Sequence, residues 1–184
     1  MNDVAEEQPK RIDCVLVAAG KYHDIDFARL ELLKLLGEDM RFRVRVFEDY
    51  ENLEAIKTAD CIVTYTCDVV PSLAAQEALK EWLNAGGRWY ALHGTNSILR
   101  MLGDGLWDAP RWAPAFMDLL GSQFISHPPI EPYKVIVTQP DHPLVKDVDA
   151  FETTDELYHL ETHGDLDILT VSYTHLRAHE TSNH

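Results

Sequence analysis

The sequence predicts an α/β protein built on a parallel β-sheet with helices on both faces. Three observations lead to this fold class. Strand-like and helix-like segments alternate four times between residues 12 and 92. The first strand-like segment, residues 12–20, is a continuous apolar run, as expected for a strand that is buried on both faces. The helix-like segments carry apolar residues on one side, which suits helices that pack against such a sheet.

The first helix and the second strand follow directly. Residues 26–39 form an amphipathic pattern that ends at a glycine, the residue that most often terminates a helix. The stripe predicted to face the sheet consists of Phe27, Leu30, Leu33 and Leu36. Residues 41–47 alternate strictly between apolar and charged positions, so they predict a strand with one buried face at an edge of the sheet.

The next four segments complete the alternation. Residues 51–60 predict a short helix, residues 61–66 a third strand and residues 88–92 a fourth. Residues 71–87 give the clearest helical pattern in the chain, with Ser72 as the N-cap. Its buried stripe is predicted to be Ala75, Ala78, Leu79, Trp82 and Leu83.

Beyond residue 96 the alternation is less regular. Residues 113–121 predict a helix that is terminated by a glycine, and residues 132–139 and 167–173 predict strands. Residues 151–160 combine the composition of a strand with the charge of a loop, so both structures remain open for them. With no linker-like stretch, residues 1–170 are expected to form one domain.

Composition narrows the classes of function. The chain has 184 residues and a formal net charge of −15, which argues against nucleic acid or an anionic membrane as a partner. No apolar run approaches the roughly 20 residues of a membrane span. The first residues lack a signal-peptide pattern, so a cytoplasmic protein is expected. Three cysteines do not make a disulfide framework, and Cys14 and Cys61 are expected to be small core residues.

Polar side chains follow three of the predicted strands. Because the carboxyl ends of parallel strands meet at one edge of a sheet, the loops after the first, third and fourth strands should lie together. A single loop histidine is more often solvated or structural, but three such loops favour a functional site at this edge. The residues concerned are His23, Asp24, Cys67, Asp68, His93, Thr95 and Asn96.

Four segments in chain order resemble the trehalose-utilisation (ThuA-like) family. They read VLVAAGKYHDI (15–25), NAGGRWYALHGTNS (84–97), FISHPPIEPYKV (124–135) and DHPLVKDV…FETTDELYHL (141–160). The resemblance covers about residue 12 to about residue 170. It implies a three-layer flavodoxin-like fold, related to that of class I glutamine amidotransferases, with the C-terminal part missing. It also implies carbohydrate metabolism, with a sugar such as trehalose, a related disaccharide or a 3-keto-glycoside as the small-molecule partner.

The resemblance also implies site residues. Where amidotransferases of this fold carry a nucleophilic cysteine, this chain has His93, so thiol-based glutamine hydrolysis is not expected. His93, His23 and Asp24 are the implied catalytic residues, although this chain has one histidine in GKYHD where relatives often have two. The flavodoxin-like strand order places the first and fourth strands close enough for both histidines to reach one cleft. The predicted substrate contacts are Tyr22, Asp68, Thr95, Asn96, His127, Asp155, Glu156 and Tyr158.

Three functions remain open. The first is an enzyme acting on a disaccharide or keto-sugar, as a hydrolase, lyase or isomerase. His93 and His23 would then be acid–base groups or ligands of a divalent metal, the one cofactor considered, with Asp24 or Asp68 orienting an imidazole. The sequence leaves the oligomeric state open.

The second function is a non-catalytic sugar-binding module that uses Trp107, Trp112 and Tyr22 as stacking surfaces. For the two tryptophans, packing in the core is the favoured interpretation. The third is a cysteine hydrolase using Cys67 with His93. It ranks last because the neighbouring Asp68 raises rather than lowers the pKa of a thiol.

The C-terminal residues resemble a metal site. His175, His179 and His184 lie close together in the sequence, with Glu180 among them. Residues 171–181, however, resemble the in-frame translation of a transposase adapter used in sequencing libraries. We therefore expect residues 171–184 to be a non-native tail on a truncated chain. The β-rich composition of its first three residues allows those to join a sheet as a strand.

Overall fold

A computed structural model of the chain describes residues 9–173. Its first half alternates strands and helices as predicted, and the bounds agree with the predicted segments to within a few residues. The elements are β1 (Ile12–Gly20), α1 (Ile25–Gly37), β2 (Phe42–Phe47), α2 (Leu53–Thr58), β3 (Cys61–Cys67), α3 (Leu73–Asn84) and β4 (Arg88–Leu92).

These four strands form one parallel sheet in the order β2-β1-β3-β4. Cys14 of β1 lies opposite Val44 of β2 on one side and Cys61 of β3 on the other. The strand order reverses between β1 and β3, which is the arrangement of a flavodoxin-like fold. The predicted fold class is therefore confirmed, and so is the edge position of β2.

The core lies on both faces of this sheet. Alternate residues of β1 point to opposite sides, so Val15 and Val17 pack on the face covered by α2 and α3. Cys14, Leu16 and Ala18 pack on the face covered by α1. Cys14 is fully buried as expected, whereas Cys61 is only partly buried.

The predicted buried stripe of α1 is partly wrong. Phe27 and Leu30 are 63% and 52% exposed. The inward side instead consists of Ile25, Leu32, Leu33 and Leu36. Both stripes share Leu33 and Leu36, so the apolar periodicity of the sequence fits either one. Packing against the sheet determines which stripe is buried.

The second half is built from short antiparallel pairings. A single 3-10 turn follows β4 at His93–Asn96, and Gly121 ends α4 in the left-handed conformation, as predicted. The remaining elements are β5 (Arg100–Gly103), β6 (Leu106–Asp108), α4 (Pro114–Leu120), β7 (Ser122–Ser126), β8 (Glu131–Val137), β9 (Phe151–Asp155), β10 (His159–Thr162) and β11 (Thr170–Tyr173).

Three small sheets result: β5 pairs with β6, β7 with β10, and β8 lies between β9 and β11. The ambiguous segment 151–160 contains two strand regions, β9 and the start of β10, joined by Glu156–Tyr158. β11 includes residues 171–173 of the expected tail, and the rest of that tail, with its three histidines, lies outside the described residues. Across residues 9–173, each helix is too short or too polar to span a membrane.

The expectation that Trp107 and Trp112 pack in the core is wrong. Trp107 lies on β6 and Trp112 in the segment that follows it, away from the two helix–sheet layers. Their exposed fractions are 44% and 58%. The β5–β6 hairpin that carries Trp107 was not predicted from the sequence.

Candidate functional site

The carboxyl ends of β1 and β3 lie unusually close together. Gly20 pairs with Cys67 at the end of the ladder and has a φ of +117°, a conformation that favours glycine. A Cβ atom at Gly20 would lie 1.9 Å from the carbonyl oxygen of Cys67. The amide of Lys21 donates a 3.1 Å hydrogen bond to the same carbonyl, so the first loop begins against the end of β3.

The structure brings His23 and His93 together at this edge. Their ring centroids are 4.6 Å apart. Gly94 makes room for the approach, because a Cβ atom there would lie 3.2 Å from Nε2 of His23. His93 itself has a φ of +46°, which is uncommon for a residue with a side chain and is typical of functional turns.

His93 contacts two residues from the connection between β9 and β10. Its Nε2 lies 3.2 Å from the hydroxyl of Tyr158 and 3.3 Å from Oε2 of Glu156. The rings of His93 and Tyr158 stack with centroids 4.7 Å apart. We refer to His23, His93, Glu156 and Tyr158 as the His93 cluster.

Burial sets the protonation of this cluster. Burial, and then the neighbouring charge of His23, hold the pKa of His93 below its usual value, although the Glu156 carboxylate acts in the opposite direction. Burial and the charge of Glu156 raise the pKa of Tyr158. At neutral pH the imidazole of His93 is therefore uncharged and the tyrosine keeps its proton.

A neutral imidazole carries a single proton, yet Nε2 of His93 has two partners. The hydroxyl of Tyr158 donates to Nε2 only when the proton is on Nδ1, and Nε2 donates to Glu156 only in the other tautomer. Nε2 therefore cannot accept from Tyr158 and donate to Glu156 in the same tautomer. When the proton is on Nδ1, the lone pair of Nε2 faces an oxygen of the Glu156 carboxylate.

Three members of the cluster, His23, Glu156 and Tyr158, line a cleft of about 400 Å³, and His93 contacts all three. One wall is aromatic: the rings of Tyr22 and Trp107 meet edge to face with centroids 4.8 Å apart. Polar side chains are also part of the lining, so the cleft offers both a stacking surface and hydrogen-bonding groups. It is lined by Tyr22, His23, Cys67, Ser97, Leu99, Trp107, Asp108, Phe124, Ile125, Ser126, His127, Glu156 and Tyr158.

His127 has a fixed orientation at this cleft. Its Nδ1 lies 2.8 Å from the carbonyl oxygen of Pro128, which can only accept a hydrogen bond. Nδ1 therefore carries the proton of the neutral ring, and Nε2 carries the lone pair. Nε2 lies 3.7 Å from Oε1 of Glu156, beyond hydrogen-bond distance.

Other predicted site residues have structural contacts. Asp24 caps α1 by accepting a hydrogen bond from the amide of Phe27, 3.0 Å away. Asp68 forms an ion pair of 2.7 Å with Lys21 and accepts a 3.1 Å hydrogen bond from the amide of Leu99. Asp24 thus fixes the start of α1, and Asp68 connects the loop after β3 to Lys21 and Leu99.

Thr95, Asn96 and Asp155 also stand apart from the cleft lining. Thr95 is buried and its hydroxyl donates to the carbonyl of Leu92. The Asn96 amide donates to Ser122, so it fastens the 3-10 turn to β7. Asp155 is exposed, and its carboxylate accepts from the amide of Glu156.

Sequence reasoning missed Tyr65, Phe124 and Ser97. Tyr65 on β3 stacks on His93 with ring centroids 5.8 Å apart, and Phe124 lies 4.5 Å from the ring of Tyr158. Ser97 is buried beside the cleft. Tyr65 was detectable, because it sits near the carboxyl end of a strand whose start is apolar.

Cys67 lines the cleft but is a poor nucleophile. Cys67 is only 1% exposed. Burial, followed by the charge of Asp68, raises the pKa of Cys67 to about 12. At neutral pH it is a thiol, and the thiolate is the reactive form.

One group of side chains in residues 9–173 has the composition of a metal site. His23, His93 and Glu156 each offer one ligand atom, and these atoms lie within 4.8 Å of one another. Two imidazole nitrogens and one carboxylate oxygen suit a divalent transition metal.

The comparisons with known proteins agree with this architecture. The model of the ThuA family, described as trehalose utilisation, matches residues 14–184. No curated protein matches the sequence. A ThuA-like protein from Bacteroides uniformis superposes with a TM-score of 0.70 at 18% identity, over 92% of this chain and 71% of that one. A second, from Parabacteroides merdae, gives 0.69 at 17% identity, over 89% and 69%.

Proposed function

Because this chain belongs to the ThuA family of trehalose utilisation, we propose that it is an enzyme that acts on a disaccharide or keto-sugar. One observation carries the proposal: the lone pair of His127 and the His93 cluster both border the same cleft. A base and a polarising group are the two components that proton transfer next to a carbonyl requires.

The arrangement assigns a role to each group. A carbonyl acidifies the neighbouring C–H bond, so Nε2 of His127 removes that proton. The hydroxyl of Tyr158, whose pKa is raised, stays protonated and donates to the carbonyl oxygen as negative charge develops there. In the metal-free protein, neutral His93 holds that hydroxyl in place: in the tautomer with its proton on Nε2 it donates to the tyrosine oxygen and leaves the hydroxyl proton free for the carbonyl.

The aromatic wall supports a sugar as the substrate class. Sugar rings expose C–H groups on one face and hydroxyl groups around the edge. Trp107 and Tyr22 offer a partly exposed apolar surface on which the C–H face of a sugar can stack. The polar side chains of the lining offer hydrogen-bond partners for its hydroxyl groups. A keto-sugar ring in this cleft therefore has its carbonyl directed toward the His93 cluster.

The first experiment detects proton removal directly. The protein is incubated in D2O with a 3-keto-disaccharide and, separately, with the parent disaccharide that lacks the carbonyl. Exchange at the C–H beside the carbonyl is followed by NMR. We expect protein-dependent exchange for the keto-sugar alone.

The matched variants are His127→Gln and His142→Gln. His142 lies outside the lining of the cleft, so its replacement should leave the exchange rate unchanged. Loss of the base should lower the rate by about 10²–10⁴-fold. Equal exchange in wild type and His127→Gln would remove His127 from this role.

A second candidate is a non-catalytic sugar-binding module. It is favoured by the exposure of the aromatic wall, with Tyr22 53% and Trp107 44% exposed. Calorimetric binding of the keto-sugar with no exchange and no product, in wild type and in His127→Gln alike, would select this function over the enzyme.

A further inference from the structure

We propose that His23, His93 and Glu156 bind one divalent transition-metal ion, with the remaining coordination positions open toward the cleft. The proposal rests on the proposed function for its role. With the metal on Nε2 of His93, that nitrogen would no longer contact the Tyr158 hydroxyl, and the metal and the hydroxyl would both polarise the substrate carbonyl. Its geometry and its test stand independently of any turnover.

The distances fit a coordination shell. Metal bonds to histidine nitrogen and carboxylate oxygen are about 2.1 Å, which places neighbouring ligand atoms roughly 3.0–3.4 Å apart. His93 Nε2 and Glu156 Oε2 are already 3.3 Å apart. The ligand atoms of His23, His93 and Glu156 all lie within 4.8 Å of one another. A side-chain rotation would bring the three atoms to the distances of a coordination shell.

An independent observation concerns His23. Its Nε2 is buried and has no hydrogen-bond partner within the described part of the chain. A buried polar nitrogen without a partner is costly, and such atoms in native structures call for an explanation. A Cβ atom at Gly94 would lie 3.2 Å from this nitrogen, so the glycine keeps a side chain from crowding Nε2 on that side.

The charge of Glu156 points the same way. Among residues 9–173, its ion-pair partners are His93 and His127, and neither lysine nor arginine reaches it. Lys21, on the loop after β1, is paired with Asp68. A half-buried carboxylate with imidazoles as its charged neighbours lacks the compensating lysine or arginine that buried anions usually have, and a metal cation would supply that charge.

The ligand types restrict the metal. Two nitrogens and one oxygen on one side of the ion are typical of Zn²⁺, Mn²⁺, Fe²⁺ or Co²⁺, whereas Mg²⁺ and Ca²⁺ prefer oxygen ligands. His23 and Glu156 line the cleft, so the open positions face it. A carbonyl oxygen and the hydroxyl on the next carbon of a keto-sugar form a suitable chelating pair for such an ion.

The test uses the full chain and the metal alone. The three histidines at 175, 179 and 184 can bind metal by themselves, so the reference protein carries H175A, H179A and H184A. After removal of metal with a chelator, Zn²⁺ is titrated by calorimetry and Co²⁺ by visible absorption. We expect one ion per chain in this reference protein.

The variants His93→Ala and Glu156→Gln in this background should each weaken binding at least tenfold, and His142→Ala should not. Glu156→Gln preserves size, so melting curves show whether a loss reflects the ligand or the fold. Unchanged affinity in both variants, or no binding to the reference protein, overturns the proposal. So does an intense thiolate-to-Co²⁺ absorption band, which would assign the ion to a cysteine.

The same samples separate this inference from the proposed function. If the chelator-treated protein exchanges the keto-sugar proton as fast as before and binds no Zn²⁺, the enzyme stands and the metal site falls. If Zn²⁺ binds as expected and no exchange is seen, the metal site stands and the proposed reaction falls.

Discussion

The hydroxyl of Tyr158 lies 3.2 Å from Nε2 of His93 while the two rings stack with centroids 4.7 Å apart. One tyrosine thus holds the imidazole by a hydrogen bond and by its ring face. The contact joins the turn after β4 to the connection between β9 and β10, so it links the parallel sheet to the antiparallel second half.

Tyr158→Phe separates these two contacts. The ring stays, so stacking and the fold should persist, and only the hydroxyl is lost. Because a hydrogen bond to a charged group contributes about 1.5–3 kcal/mol, deuterium exchange on the keto-sugar should slow by roughly tenfold or more. Tyr133→Phe, on β8, is the control and should exchange at the wild-type rate. Equal rates for both variants would exclude the Tyr158 hydroxyl from the reaction.

Trp107→Ala tests the aromatic wall. Removal of this ring should raise the KM or Kd for the sugar about tenfold, the equivalent of about 1.4 kcal/mol, and should alter kcat less. Trp112→Ala is a matched control, because Trp112 is also exposed but lies outside the cleft lining. If Trp112→Ala weakens binding as much as Trp107→Ala, the sugar is bound elsewhere.

Gly20→Ala tests the close approach of β1 and β3. The added Cβ would overlap the carbonyl oxygen of Cys67 at 1.9 Å, and the φ of +117° disfavours alanine. We expect the free energy of unfolding in urea to fall by at least about 2 kcal/mol.

Gly37→Ala is the opposite case. This glycine lies at the end of α1 and a Cβ there meets nothing within 4 Å. The free energy of unfolding should stay unchanged or rise by about 0.5–1 kcal/mol. Destabilisation of the two variants to the same extent would mean that the strand contact is not the cause.

Cysteine alkylation tests the protonation of Cys67. Burial and then Asp68 raise the pKa of Cys67 to about 12, so the thiolate fraction is very small at pH 8. This fraction rises about tenfold for each pH unit until the pH reaches the pKa. Cys61 is partly exposed and a hydrogen bond from Cys14 lowers the pKa of its thiol. Mass spectrometry after iodoacetamide treatment should therefore find Cys61 labelled before Cys67.

The companion variant is Cys67→Ser. If proton transfer by histidine is the chemistry, this variant should keep most of the exchange activity. A loss of about a thousandfold, together with early labelling of Cys67, would instead support the cysteine hydrolase.

Much of the architecture was readable from the sequence because it depends on local periodicity. The buried run of β1 reflects burial on both faces of the sheet, whereas the alternation of β2 and the stripe of α3 each reflect one face packed against a neighbour. The rotation of α1 was not readable, since two overlapping stripes fit the same residues and only contact with the sheet distinguishes them. The β5–β6 hairpin was missed although Asp104-Gly105 between apolar residues is a turn signal.

The candidate site divides in the same way. Strand-end loops identified His23 and His93, because the edge at which parallel strands end is a property of the topology. The sequence did not show which carboxylate contacts His93. Asp24, Asp68 and Glu156 all carry carboxylates, and they are distinguished by the groups that these carboxylates contact. Such distinctions depend on distances of a few ångströms between segments far apart in the chain.

The position of Trp107 has an evolutionary consequence. It lies on a hairpin whose strands, within residues 9–173, pair only with each other, whereas His93 follows a strand of the parallel sheet. Mutations in the hairpin can therefore reshape this wall of the cleft without disturbing the sheet that positions His93. Related proteins can exchange this short hairpin as a unit, and a designer can do the same by grafting.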